Sequence, residues 1–137
     1  MKAYLDSSVI LRKLLGEPGA LKEWGSWVEG YTSEITGVES LRTLDRLRLE
    51  GRLEDAEIAE KMQLLREVLD STGGIALNAA VLERASRNYP TVLGTLDAIH
   101  LASAVIYLEQ RRERLVILTH DLRLAIAAQA LGFDTLG

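Results

Sequence analysis

A chain of 137 residues, 47% hydrophobic and 26% charged, is long enough to bury a core of its own and too apolar to stay disordered. It has no cysteine and two histidines, which excludes disulfides, thiolate zinc sites and cysteine nucleophiles, and leaves a histidine-built zinc site short of ligands unless carboxylates complete it. The net charge of −4 counts against a generic nucleic-acid binder, unless divalent cations offset converging acids.

The elements follow in chain order, and residues 1–137 read as one domain. Lys2 to Leu5 is a short apolar run that predicts a strand. "DSSVILRKLLGEPG" follows, with capping residue types at its start and Gly-Glu-Pro-Gly at its end, so it reads as a helix and a stop. Leu21 to Val28 reads as a short helix whose Trp24 and Trp27 serve the core or an interface rather than base stacking. Tyr31–Thr32 is a brief extended piece, and a helix runs from about Ser33 to Leu49, closed by Gly51. Asp55 to Leu69 is a further amphipathic helix, broken by Gly73–Gly74. Ile75 to Leu77 then reads as a buried strand, and Asn78 caps a helix that ends near Asn88-Tyr89-Pro90. A loop through Gly94 leads to "TLDAIHLASA", with Thr95 as its N-cap. Arg111 to Arg114 is a charged turn, and "LVILT", Leu115 to Thr119, is the clearest buried strand. His120–Asp121 opens a final helix, which Gly132 ends before a terminal "FDTL" strand. Strands alternating with helices predict an α/β fold, and continuous apolar strands suit a mostly parallel sheet covered on both faces. No apolar run reaches the roughly 20 residues that span a bilayer, and "MKAYLDSS" does not read as a signal peptide, so the expectation is a cytoplasmic protein without a membrane association.

Four acids stand at places where chemistry is feasible. Asp6 and Asp121 each follow a strand, and in an open parallel sheet such ends share the carboxyl edge where ligands bind. Asp97 lies in the first turn of a helix that is otherwise apolar almost all round. Glu39 lies among Ile35, Val38 and Leu41. Each has an ordinary explanation: Asp6 and Asp121 as helix caps, Asp97 as an offset to the helix dipole, Glu39 as the partner of Arg42 in a contact of roughly 0.2–0.5 kcal/mol. Together they are harder to dismiss, because gathered carboxylates repel and stay ionised only beside cations. Hard oxygen ligands favour Mg2+ or Mn2+ over zinc. Such a site suits phosphodiester hydrolysis, with one ion activating water and a second, about 3.5–4 Å away, stabilising the leaving oxygen. Ser7 and Thr119 adjoin these acids and are either orienting hydroxyls or plain caps. His100, three residues after Asp97, and His120, beside Asp121, read as buried or interface histidines before they read as members of a site.

"YLDSSVILRKLLGEPG", "SEITGVESLR", "LDAIHLASA" and "LVILTHDLRLAIAAQALGF", in that order and over essentially the whole chain, resemble a PIN-domain ribonuclease of the VapC toxin type. The resemblance implies a three-layer α/β/α sandwich around a central parallel sheet. It implies that Asp6, Glu39, Asp97 and Asp121 line one acidic pocket that binds Mg2+ or Mn2+, with Ser7 and Thr119 at accessory hydroxyl positions. The implied activity is endonucleolytic cleavage of single-stranded RNA regions, in transfer or ribosomal RNA among others, leaving a 5′-phosphate and a 3′-hydroxyl. The implied assembly is a homodimer with a cognate antitoxin lying across the active-site groove. RNA binding needs local cations, and Arg12, Lys13, Arg42, Arg46 and Arg123 are candidates near the acids in sequence. Ser7 stands where many relatives carry threonine, which preserves the hydroxyl. A PIN nuclease that processes RNA without toxicity remains an alternative. Two other readings fit less well. An aspartyl-phosphate phosphatase or phospho-receiver would need a lysine after "LVILT" and a different neighbour pattern around Asp6. A non-catalytic binding module leaves a complete acidic quartet unexplained.

Overall fold

Alternation along the first strand sets up the two faces of the molecule. In β1 (Lys2–Leu5) Tyr4 points to one side, and Ala3 and Leu5 point to the other, as the two-residue period of a strand requires. The computed structural model describes residues 1–137. After β1 come α1 (Ser7–Leu14), β2 (Glu29–Ser33), α2 (Ile35–Leu49), α3 (Asp55–Asp70) and β3 (Gly73–Ile75). They are followed by α4 (Ala79–Ala85), α5 (Thr95–Arg111), β4 (Val116–Leu118), α6 (Leu122–Ala130) and β5 (Thr135–Leu136). The five strands form one sheet in the order β3-β2-β1-β4-β5, and every neighbouring pair is parallel.

One apolar layer joins Tyr4 and Ile117 to Leu101, Ala104 and Val105 of α5 and to Leu124, Ala127 and Ala128 of α6. The other joins Leu5 and Leu118 to Val9, Ile10 and Leu14 of α1, Leu44 of α2 and Leu65 of α3. This is the expected three-layer α/β/α sandwich, and its sheet is wholly parallel. A smaller apolar cluster, centred on Val81, Ile99 and Ala102, seats α4 on the outer side of α5. That double coverage is why α5 reads as apolar around its circumference: its residues Ala98 to Val105 are all buried.

Three local expectations are corrected. Leu21 to Val28 forms turns instead of a helix. Gly25 in the left-handed region (φ +81°) breaks any helical run there, and Trp24 and Trp27 pack edge to face, with ring centroids 5.4 Å apart. The third strand begins at Gly73, two residues before the apolar run that suggested it. A Cβ at Gly73 would lie 2.6 Å from the ring of Tyr31, so the bare backbone is what lets that ring lie across the strand. The N-cap of α5 is Gly94 rather than Thr95, with no side-chain capping bond.

The fold places its weight on α5. Leu101→Ala, at a fully buried position against the sheet, should cost about 2–5 kcal/mol in urea unfolding. Leu122→Ala, at a position 73% exposed, should stay within about 0.5 kcal/mol of the unsubstituted chain.

Candidate active site

The strand order reverses direction about β1: the chain proceeds from β1 outwards to β2 and β3, then returns to the other side of β1 as β4. A crevice opens at the carboxyl edge of such a reversal. Asp6 ends β1 and Asp121 follows β4, so both acids stand at its mouth. Glu39, one turn into α2, and Asp97, in the first turn of α5, complete the surround. Asp6, Ser7, Ser8, Glu39, Thr95, Leu96, Asp97 and Asp121, with Gly94, line a cavity of about 410 Å³. The structure therefore brings all four predicted acids to one place.

Each acid is held differently. Asp6 caps α1 through Oδ2, which accepts from the Ser8 amide at 3.4 Å, the Ser8 hydroxyl at 2.5 Å and the Thr119 hydroxyl at 2.8 Å. Its Oδ1 is turned elsewhere, 3.4 Å from His100 Nε2. Asp121 likewise caps α6, Oδ1 accepting from the Leu124 amide at 3.1 Å. Helix capping and a place in the pocket are thus compatible, since a carboxylate has two oxygens and a cap uses one. Glu39 accepts from the Ser7 hydroxyl at 3.3 Å and pairs with His100 Nε2 at 2.5 Å. Arg42, its expected ion-pair partner, instead bonds to Asp45.

Asp97 makes no side-chain hydrogen bond to the protein, and its electrostatics show the strain of the cluster. Desolvation, then repulsion from Asp121 and Asp6, pushes its carboxyl up to about 6, while the nearby His100 pulls the other way. His100 is shifted in the opposite sense to a simple buried imidazole. Desolvation lowers its pKa, but the Glu39 bond and the charges of Asp6, Glu39 and Asp97 together raise it. No three of the carboxylates and imidazoles meet closely enough to form a ready coordination shell. They line a shared pocket without converging on one point.

The donors nonetheless fit a hard divalent cation. They are oxygens, all four acids keep an oxygen that caps nothing, and the proton affinity of Asp97 marks a deficit of positive charge. Asp6, Asp97 and Asp121 are the residues that would hold such an ion, with Glu39 reached through its own carboxylate.

A PIN domain family model matches residues 3–130 of the chain. The chain belongs to the PIN-domain family. Ribonuclease VapC47 of Mycobacterium tuberculosis is 31% identical over 139 aligned residues, covering 96% of this chain and 93% of that one. The solved structure of FitAcB from Neisseria gonorrhoeae shares the fold with a TM-score of 0.65 at 18% identity, covering all of this chain and 97% of its own. A toxin–antitoxin complex from Klebsiella pneumoniae has a TM-score of 0.63 at 18% identity, covering 98% and 96%.

Within this PIN domain the basic candidates separate. Arg12 lies on the His120 side of the site, where its charge adds to desolvation in lowering the pKa of that histidine. Arg123 is exposed two residues beyond Asp121. Lys13 lies with Trp24 in a different hollow of about 680 Å³ between α1, β2 and α3, its ammonium 6.0 Å from the Trp24 ring centroid. Arg42 and Arg46 flank a third hollow with Leu49 and Glu50, and pair with Asp45 and Glu50. That larger apolar hollow holds none of the four acids, so volume alone points away from the chemistry.

Sequence reasoning missed Ser8 and undervalued His100. The Ser8 hydroxyl donates to Asp6 and accepts from the His120 amide at 3.0 Å, tying the end of β1 to the loop after β4. Thr119, expected as an orienting hydroxyl or a cap, donates to Asp6 and accepts from the Asp121 amide, whereas Ser7 donates to Glu39. The available signal for Ser8 was its place two residues after a capping Asp. His100 is indeed a buried histidine, 1% exposed, but it is also bonded to the acids.

The raised carboxyl of Asp97 has a consequence for stability. In metal-free solution its charge opposes folding as pH rises from its ordinary 3.8 through about 6. Asp97→Asn should therefore be the more stable protein at pH 7.5, by about 1 kcal/mol after allowance for the carboxylate's partial exposure. The advantage should vanish below about pH 4. Urea unfolding at the two pH values checks it; an Asn variant that is less stable at pH 7.5 would contradict the electrostatic account.

Proposed function

We propose that the protein is an Mg2+- or Mn2+-dependent endoribonuclease that cleaves single-stranded regions of RNA and acts as the toxin of a toxin–antitoxin pair. The observation that carries this reading is the enclosure of Asp6, Glu39, Asp97 and Asp121 around one cavity at the strand-order reversal of a PIN domain. Membership of the family and likeness to a named ribonuclease support it. Likeness in fold to the toxin–antitoxin complex from Klebsiella pneumoniae and to VapBC-5 from Mycobacterium tuberculosis supports the partner.

When bound, a divalent cation supplies Lewis-acid activation of water and neutralises charge at the scissile phosphate. The chain's own residues do the rest. Asp6 offers Oδ1 to the pocket because Ser8 and Thr119 hold its other oxygen. Asp121 is fixed by its capping bond at the opposite lip. Asp97 is carried in the first turn of α5, whose following residues Ala98 to Val105 are buried and anchor it. Arg12 and Arg123 are the cations best placed to meet RNA phosphates, while Lys13, Arg42 and Arg46 would reach only a longer strand. Exposed Leu96 lines the pocket beside the acids, an apolar contact that suits an antitoxin segment whose own cation enters it. A homodimer belongs to the same proposal. No helix is long and apolar enough to cross a membrane, and a cytoplasmic location accords with an RNA substrate.

Asp6→Asn and Asp121→Asn should each lower Mn2+-stimulated cleavage of single-stranded RNA by at least about 100-fold with the circular dichroism spectrum unchanged. Folded variants that cut as fast as the unsubstituted chain would remove the assignment. Sequencing of RNA ends after brief expression should show new 5′-phosphate ends at defined sites, and growth should stop. Harmless overproduction of soluble protein would leave an RNA-processing nuclease without the toxin role.

A further inference from the structure

The pocket's four acids have a fifth member behind them. His100 lies three residues after Asp97 on α5, on nearly the same helix face, but deeper by about one turn. Its Nε2 is 2.5 Å from Glu39 Oε1 and 3.4 Å from Asp6 Oδ1. The shorter distance decides the pairing: Glu39 is gripped, whereas Asp6 Oδ1 is left at the limit of an interaction and so stays open to a ligand. On the other side of the ring, Nδ1 is 2.6 Å from the hydroxyl of Tyr4. Tyr4 is fully buried in β1, and its ring meets the imidazole edge to face at 5.9 Å and 73°. Both residues are buried from solvent, so the ring's partners are these protein groups.

We propose that His100 is a positioning residue of the acidic pocket, its Nε2–H fixing the Glu39 carboxylate for cation binding while the Tyr4 hydroxyl, bonded to Nδ1, holds the orientation of the ring. A carboxylate cannot donate, so the proton in the Glu39 bond belongs to Nε2. At Nδ1 the Tyr4 hydroxyl serves either form of the ring, donating to a neutral imidazole and accepting from an imidazolium. Removing that hydroxyl takes away the bond that holds the ring in its orientation toward Glu39. Glu39 sits on α2 and would otherwise be held only by the 3.3 Å bond from Ser7. A tyrosine on a core strand thereby acts, through His100, on the orientation of Glu39 on a helix that packs on the opposite face of the sheet. Partners that orient a ligand in this way typically contribute 10–100-fold to metal affinity.

This inference rests on the proposal that the pocket binds a divalent cation, and Mn2+ is the probe. Isothermal titration calorimetry should give a pocket dissociation constant for the intact chain that rises about 10–100-fold in His100→Leu and by a smaller factor, about 3–10-fold, in Tyr4→Phe. His100→Gln, which keeps an N–H donor near the Nε2 position, should recover most of the loss. A purely structural role predicts variants that melt at lower temperature yet bind Mn2+ as the intact chain does, and that result would overturn the positioning role alone. If the intact chain binds no Mn2+ in the pocket, the cation reading itself fails. In case His100→Leu does not fold, proton NMR of the intact chain supplies a second check. A slowly exchanging His100 Nε2–H resonance is expected, broadened in Tyr4→Phe; a missing resonance in the intact chain overturns the inference.

Discussion

Gathering negative charge in a partly desolvated crevice is unfavourable, and the architecture around this pocket consists largely of devices that make it tolerable. Asp6 spends one oxygen on two hydroxyls and a backbone amide. Asp121 spends one on the start of α6, where the helix dipole favours a negative charge. Glu39 leans on an imidazole whose ionised form its neighbours favour. Asp97 has no hydrogen bond from the protein; the start of α5 and His100 offset its charge only in part, and its carboxyl is pushed up to about 6. The residue least satisfied by the protein is the one with most to gain from a cation. Stability is given up here in a form that ligand binding can restore.

The parallel sheet makes that gathering possible. Asp6 and Asp121 are 115 positions apart in number, yet β1 and β4 are neighbours in register, Leu5 opposite Leu118. The Asp6 amide donates to the Leu118 carbonyl at 3.0 Å, and the Ser8 hydroxyl then bridges to the His120 amide. Strand pairing thus delivers the two acids to adjacent stations, and a pair of side-chain bonds locks the loops that carry them. Buried α5, covered by the sheet on one side and α4 on the other, brings Asp97 to the same point from the opposite direction.

Much of this was legible in the residues because it depends on strong local patterns. Val116–Leu118 and Lys2–Leu5 are apolar runs with nothing else to become, and the capping positions of Asp6 and Asp121 follow from their place before helical periodicity. The expected failures lie where tertiary contact overrides local preference. Gly73 and Gly74 look like a break and are a strand, because Tyr31 needs the space. Trp24 and Trp27 have helical spacing and sit in turns, because they pack on each other and on the α1–α3 side of the core. His100 was divided between core and site as though these were alternatives. The Tyr4 and Glu39 bonds that make it both are formed by residues 96 and 61 positions away, which no local pattern reveals.

The central claim is that the four acids form a single divalent-cation site, and paramagnetic broadening by Mn2+ tests it where it stands. In a nitrogen–proton correlation spectrum of the intact chain, substoichiometric Mn2+ should erase amide signals around Asp6, Glu39, Asp97 and Asp121 first and together, and Mg2+ in excess should restore them. Broadening that falls equally on the exposed acids opening α3, Glu54, Asp55 and Glu57, or that spares any of the four, would contradict it.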